Sequence, residues 1–163
     1  MSDTWFIVFG LVAVILLVVA NGLFVATEFA YVAVRRTRVE QLAGQGHARA
    51  RVLLGALREL DHYIAATQLG ITMSSLALGW IGEPALGRLV DPLLHDLLGG
   101  TGGGAVTRTV SFLIAFTVIT SLHIVLGELA PKTIALSRSE DTALWVAAPI
   151  AVFSRIFRPF IWA

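Results

Sequence analysis

The chain has no cysteine and few charged residues, and each shortage excludes a class of protein. Without cysteine there is no disulfide framework and no thiolate metal site. Charged residues make up 14% of the 163 residues, whereas about 25% is usual in a soluble domain. With 56% hydrophobic residues and a mean hydropathy of +0.81, the chain lacks the polar residues to coat a soluble fold. The composition therefore indicates a membrane protein.

Neither a nucleic-acid-binding surface nor a signal peptide is indicated. The net charge is only +1, and no basic patch is interleaved with aromatic residues, so we expect no nucleic-acid partner. Residues 1–4 contain Asp3 and no lysine or arginine, which is unlike the basic start of a signal peptide.

Three stretches are long and apolar enough to cross a bilayer, which takes about 20 residues for a core of about 30 Å. They cover residues 5–34, 62–82 and 106–130. The loop after the first stretch is rich in arginine, and the positive-inside rule therefore places this loop in the cytoplasm and the N-terminus outside. We predict an all-α, multi-pass protein of the inner or plasma membrane with three transmembrane helices.

The segments between the spans carry further helix signals. In the arginine-rich loop, apolar residues at helical spacing predict short amphipathic helices that are separated by Gly44 and Gly46. Residues 83–97, which open with a Glu-Pro pair, are predicted to form a separate external segment with a short surface helix that breaks at Pro92. The glycine-rich residues 99–104 are predicted to form a flexible hairpin tip.

The chain is expected to divide into a transmembrane domain over residues 1–137 and a juxtamembrane helix over residues 138–163. The last helix is predicted to start at Ser139, with acids near its positive dipole end. As a fourth span it would bring Pro149 and two arginines into the membrane at a cost. As an amphipathic helix it places tryptophan and arginine at the headgroup level, and we prefer this interfacial reading. The abrupt end at Ala163 leads us to expect a longer parent protein.

The end of the third span contains an unusual break. Pro131 has no N–H and clashes with the carbonyl of residue 127, so a helix arriving there kinks or ends. The carbonyl of Gly127 is then free to act as a ligand beside the Glu128 carboxylate. Irregular backbone at membrane depth survives only where it is buried in protein or lines a cavity. We interpret this stretch as half of a cation site with Pro131 as its hinge, and we expect Lys132 to pair with a carboxylate rather than to snorkel.

Polar residues on one helical face recur in each of the three spans, which lets the faces converge on a common interior. These residues are Asn21 with Glu28, Gln68 with Thr72 and Ser75, and Ser121 with Glu128. An ionised carboxylate in hydrocarbon costs several kcal/mol, so Glu128 must be protonated, paired or bound to a cation. Carboxylate, amide, hydroxyl and carbonyl oxygens suit hard cations such as Mg²⁺, Ca²⁺ or Na⁺.

Structural explanations compete with this cation site. Asn21, Ser74 and Ser75 are residue types that often only form hydrogen bonds between membrane helices. Glu28 lies close in sequence to two arginines, so an ion pair is at least as well supported as an ion site. A lone histidine such as His123 is more often packed or hydrogen-bonded than a metal ligand.

Three motifs together resemble the CorC/CNNM family of magnesium transporters, specifically its DUF21 transmembrane domain, over nearly the whole chain. They are GELAPK at 127–132, NGLFVATEFA at 21–30 and TQLGIT at 67–72. The resemblance implies three transmembrane helices with a juxtamembrane helical belt, a homodimer, and Mg²⁺ export coupled to Na⁺ entry. It also implies cytosolic CBS domains, which are absent from this chain.

The same resemblance implies a set of site residues. The metal ligands would be Asn21, Ser75, Glu128 and the carbonyl of Gly127. Cavity or coupling roles would fall to Thr27, Glu28, Gln68, Thr72, Ser74, Ser121, Pro131 and Lys132. Many relatives carry serine at the position of Thr27, where the hydroxyl survives with altered geometry.

The expected function is therefore a Na⁺-coupled magnesium exporter, with Mg²⁺ as its substrate. The alternative from another class is a membrane anchor or Mg²⁺ sensor that transports nothing. We do not expect an enzyme, because Ser121 and His123 lie on different faces of a helix and no zinc motif is present.

Overall fold

The computed structural model describes residues 2–97 and 104–161. The described residues form helices and no strands. These are α1 (Ser2–Ala33), α2 (Arg36–Gly44), α3 (Ala48–Arg58), α4 (Leu60–Leu97), α5 (Gly104–Leu122), a π-helical segment (His123–Leu129), α6 (Ala130–Ser137), α7 (Ser139–Ile156) and α8 (Arg158–Ile161). The predicted hairpin tip lies outside the described residues except for Gly104, which begins α5. The last two residues of the predicted juxtamembrane helix also lie outside them.

Three helical runs are long and apolar enough to cross a membrane, which confirms the prediction of an all-α protein with three transmembrane helices. They are Trp5–Ala33, Leu60–Pro92 and Ala105–Ser137. Large apolar side chains point outward from these runs, including Phe9, which is 73% exposed, and Trp80, which is 86% exposed. Such surfaces are suited to lipid and not to water, so the chain is a multi-pass membrane protein. The outside location of the N-terminus stays a prediction.

Small residues let α1 and α4 pack closely. A Cβ added at Gly10 would lie 2.5 Å from the Cβ of Ala85, and one added at Gly70 would meet the ring of Phe24 at 2.5 Å. The early part of α1 thus lies beside the late part of α4, and the two helices are antiparallel. Glycine at a helix interface permits this approach because it has no side chain.

The predicted separation of residues 83–97 from the second span is wrong. Helix α4 continues through Pro84 and Pro92 to Leu97. Each proline removes one hydrogen bond, but packing beyond Pro84 holds the helix together because Ala85 is fully buried against α1. Proline is tolerated in transmembrane helices where neighbouring helices support the chain in this way.

A belt of short helices surrounds the end of α1 and confirms the amphipathic helices predicted in the arginine-rich loop. Helices α2, α3 and α7 bury one face each in a shared core; the buried side chains include Val39, Leu53, Val146 and Ile150. Gly46, with φ of 92°, makes the turn between α2 and α3. An ion pair of 3.2 Å between Arg38 and Glu140 joins α2 to α7. We call this end of the molecule the belt end.

The juxtamembrane helix begins at Ser139, as predicted. Helix α7 is not one of the three runs that are apolar enough to span a membrane. Its buried side chains pack in the belt core, whereas Trp145 is 64% exposed. This arrangement agrees with the preferred interfacial helix.

Candidate cation site

The third run changes its helix type where the sequence predicts a break. Helix α5 ends at Leu122, a π-helical segment covers His123–Leu129, and Pro131 lies in the first turn of α6. The helical run continues through this break to Ser137 instead of ending. In a π-helix, residue i bonds to residue i+5, which places residues five apart above one another. His123 and Glu128 therefore share a face, whereas in an α-helix they would be about 140° apart.

One cavity of about 260 Å³ lies between the three runs near this π-helical segment. We call it the central cavity. Its lining residues are Asn21, Val25, Glu28, Phe29, Ile71, Ser75, His123 and Glu128. The predicted convergence of polar residues is thus present, since α1, α4 and the third run each contribute at least one polar side chain.

Hydrogen bonds link the neutral polar groups at this cavity. The Asn21 side-chain nitrogen Nδ2 donates to the carbonyl oxygen of Gly127 at 2.9 Å. The Ser75 hydroxyl donates to Asn21 Oδ1 at 3.3 Å, and Ser75 Oγ also lies 3.3 Å from His123 Nε2. Asn21 is 1% exposed, so this network is built into the helix interface.

The direction of two of these hydrogen bonds follows from the groups involved. A carbonyl oxygen can only accept, so the nitrogen of Asn21 faces Gly127 and its oxygen faces Ser75. The direction of the third contact, between Ser75 Oγ and His123 Nε2, depends on the tautomer of His123.

Pro131 explains why the Gly127 carbonyl needs Asn21. In an α-helix, the N–H of residue 131 would bond to the carbonyl of residue 127, and proline has no N–H. The Gly127 carbonyl accepts a hydrogen bond from the amide of Asn21, and its expected availability as a cation ligand stays a prediction. Gly127 is buried and does not line the central cavity.

Two carboxylates face the central cavity from different helices. Glu28 of α1 is half-buried, and Glu128 of the π-helical segment is exposed. Gln68 of α4 lies near the Glu28 carboxyl group.

The ion pair considered for Glu28 does not form with either nearby arginine. Arg36 instead pairs with Glu40 at 3.1 Å, one turn further along α2. The chain leaves α1 at Ala33 and enters a new helix, so closeness in sequence does not bring Arg35 or Arg36 to the Glu28 carboxylate.

The expected pairing of Lys132 with a carboxylate is also wrong. Its Nζ lies 4.5 Å from the centroid of the Phe29 ring, a cation–π contact. Within the described ranges, no carboxylate forms an ion pair with Lys132. The first turn of α6 packs on α1, where Phe29 is available and half-buried.

Of the eight residues predicted for cavity or coupling roles, Glu28 lines the central cavity, and the other seven, which include Gln68, Pro131 and Lys132, do not. Thr27 and Thr72 donate to carbonyls of their own helices, Leu23 at 2.7 Å and Gln68 at 2.9 Å. The remaining two are Ser74, which is buried outside the cavity lining, and Ser121, which is exposed. Ser121 was aligned with Glu128 by α-helical spacing, and the π-helical segment between them shifts that register.

The structure places His123 at the central cavity, although a lone histidine was not expected to be a ligand. The available signal was its position one turn before Gly127, and only the π-helical geometry makes that position face the cavity. Among the described residues, no three His, Asp or Glu side chains gather into a metal-binding cluster. The site instead combines two carboxylates with neutral oxygens, the donor set that hard cations favour.

The fold and the cavity define a multi-pass membrane domain whose spanning helices flank a cavity lined by two carboxylates. The chain belongs to the CNNM family, because the family model for the cyclin M transmembrane N-terminal domain matches residues 11–163. The resemblance that the sequence motifs indicate is thereby confirmed, and this family is linked to Mg²⁺ transport.

Curated relatives agree with this membership. The chain is 44% identical over 153 residues to the UPF0053 protein YhdT of Bacillus subtilis, covering 94% of this chain and 32% of the relative. It is 40% identical to YugS of the same organism over 158 residues, covering 96% and 36%. It is also 40% identical to the uncharacterized protein Rv1841c of Mycobacterium tuberculosis over 147 residues, covering 90% and 41%. The chain thus spans about a third of the length of these relatives.

Proposed function

We propose that this domain transports Mg²⁺ out of the cell in exchange for Na⁺, and that Mg²⁺ binds in the central cavity. The observation that carries this proposal is the pair of carboxylates, Glu28 and Glu128, that face one cavity together with the Asn21–Ser75 network. Two carboxylates supply two negative charges, which match a divalent cation. Neutral oxygens from Asn21 and Ser75 complete a donor set for a hard ion.

The size of the cavity suits an ion that keeps part of its water. Mg²⁺ dehydrates reluctantly and usually retains several waters in its octahedral shell. A water molecule occupies about 30 Å³ in the liquid, so a cavity of about 260 Å³ has room for a cation with several waters. In our proposal the protein replaces only some of these waters.

The Asn21–Gly127 hydrogen bond is a positioning contact in this proposal. It turns the Asn21 oxygen towards Ser75 and the cavity, where a cation replaces the serine proton as the partner of that oxygen. Gly127 was expected to be a direct ligand; we propose instead that it acts through Asn21. Na⁺, another hard cation, would use the same oxygens when Mg²⁺ leaves. As the family implies, we also propose that the domain works as a homodimer.

Ion flux tests this proposal. The chain is reconstituted into vesicles loaded with Mg²⁺ and a Mg²⁺-sensitive dye, and efflux is followed with an opposed Na⁺ gradient or a K⁺ gradient of equal size. We expect Mg²⁺ efflux that is faster with Na⁺ and absent for Glu128→Gln. Mg²⁺ binding without flux would support the alternative of an anchor or sensor. Efflux no faster than that from loaded vesicles without protein would contradict transport by this domain.

A further inference from the structure

A second cavity adjoins the central one on the side away from the belt end. Its volume is about 360 Å³, and it lies between α4 and α5. We call it the outer cavity. Its polar lining residues are Ser75, Glu83, Thr120 and His123.

Ser75 and His123 line both cavities. Their 3.3 Å contact therefore stands where the two cavities meet. A contact between two side chains can open by a change of rotamer, without movement of the helices. The described structure thus has two adjoining cavities whose linings share one hydrogen-bonded pair.

The carboxylates of the two cavities lie on opposite sides of this pair. Glu83 follows Ser75 by eight residues on α4, about 12 Å along the helix axis and away from the belt end. Glu28 and Glu128 follow Asn21 and His123 along their own helices in the direction of the belt end. Acidic residues are thus placed before and after the Ser75–His123 contact.

Glu83 has no structural partner that explains its position. It is half-buried, lies within the run Leu60–Pro92, and makes no ion pair with a described residue. An ionisable residue within a spanning helix is costly and usually faces a water-filled cavity or an ion pathway. Glu83 lines the outer cavity, which it shares with Ser75, Thr120 and His123 as the other polar lining residues.

We propose that the outer cavity is the second half of the cation pathway, that Glu83 attracts the cation there, and that the Ser75–His123 contact is the closed barrier between the halves. This inference rests on the proposed transport function. A cation in the central cavity binds Ser75 Oγ and weakens its contact with His123, which opens the way to Glu83.

The absence of cysteine makes the outer cavity directly testable by thiol labelling. Gly79 lines this cavity, and a Cβ added there would meet no atom within 4 Å, so Gly79→Cys fits without strain. Gly55 in α3 of the belt is equally open and provides the matched control Gly55→Cys. A membrane-impermeant thiol reagent is added to one face of the reconstituted protein at a time.

We expect Gly79→Cys to react from the face opposite to the one that labels Gly55→Cys, and its modification to block Mg²⁺ efflux. Labelling at residue 55 should leave efflux unchanged. An unreactive Gly79→Cys, labelling of both variants from the same face, or full efflux after labelling at residue 79 would overturn the proposal.

A charge variant separates this inference from the proposed function itself. Glu83→Gln should lower the rate of Mg²⁺ efflux about tenfold. The reason is that the attraction between a carboxylate and a nearby cation at a protein surface is larger than the free-energy change that corresponds to a tenfold change in rate. The variant should leave Mg²⁺ stabilisation of the protein unchanged, since the central cavity is intact. Normal efflux by Glu83→Gln would contradict the proposed outer pathway but not Mg²⁺ transport itself. Wild-type protein without any efflux would contradict the proposed transport function.

Discussion

Asn21 of α1 donates a 2.9 Å hydrogen bond to the backbone carbonyl of Gly127, 106 residues further along the chain. This bond satisfies a carbonyl that Pro131 deprives of its α-helical partner. It also fixes which end of the Asn21 amide faces Ser75. One side chain thereby joins the packing of the first and third runs to the geometry of the cavity between them.

Replacement of Asn21 by leucine should destabilise the protein by about 1–3 kcal/mol, because the buried Gly127 carbonyl would lose its partner. Thr72→Val is the control, since that hydroxyl is exposed and bonds only to its own helix. Both free energies of unfolding are measured by denaturant titration in the same detergent. An Asn21→Leu variant as stable as Thr72→Val would show that the hydrogen bond from the Asn21 amide to the Gly127 carbonyl does not stabilise the protein.

Gly127→Ala should also destabilise the protein, by about 1–3 kcal/mol, because the interior is overpacked. The added Cβ would lie 2.9 Å from His123 Cδ2 and 3.2 Å from Asn21 Nδ2. Gly79→Ala is the matched control, because its Cβ enters open space and alanine gains up to about 1 kcal/mol over glycine inside a helix. The unfolding temperature of Gly127→Ala should be lower than that of the wild type, and that of Gly79→Ala should be higher. Equal shifts for both would refute the close packing at the π-helical segment.

The Lys132–Phe29 contact should appear as a coupling free energy of about 0.5–2 kcal/mol. The measurement is a double-mutant cycle of unfolding with Lys132→Gln, Phe29→Leu and the double variant. A second cycle with Lys132→Gln and Glu128→Gln serves as the comparison. Coupling between Lys132 and Glu128, together with additivity between Lys132 and Phe29, would show that Lys132 pairs with a carboxylate and would contradict the cation–π contact.

The sequence predicts those features of the fold that depend on single residues or long patterns. Length and hydropathy are enough for three spanning helices, because a bilayer imposes both requirements on any span. The missing N–H of Pro131 is a local covalent fact that removes the α-helical donor to the Gly127 carbonyl, and this carbonyl accepts a bond from Asn21. Polar residues in apolar helices were expected to converge, and Asn21, Glu28, Ser75 and Glu128 all line the central cavity.

Features that depend on helix register or on distant packing were not predictable in the same way. Ser121 was aligned with Glu128 by α-helical spacing, but a π-helical segment lies between them and brings His123 to the cavity instead. Pro84 was expected to end the second span, but the packing of Ala85 on Gly10 carries the helix past it. The second outcome depends on a neighbouring helix, about which a local pattern holds no information.

The most direct test of the central claim is a Mg²⁺ titration of the purified protein, with unfolding temperature as the readout and with Ca²⁺ and Na⁺ as competitors. Wild-type protein and Glu128→Gln are compared, and Glu40→Gln, which alters only an exposed ion pair in α2, is the control.

We predict saturable stabilisation of the wild type and of Glu40→Gln, about 2.7 kcal/mol at a Mg²⁺ concentration of 100 times Kd, and none for Glu128→Gln. A wild-type protein that Mg²⁺ does not stabilise, or a Glu128→Gln variant that is stabilised as strongly as the wild type, would contradict a Mg²⁺ site in the central cavity.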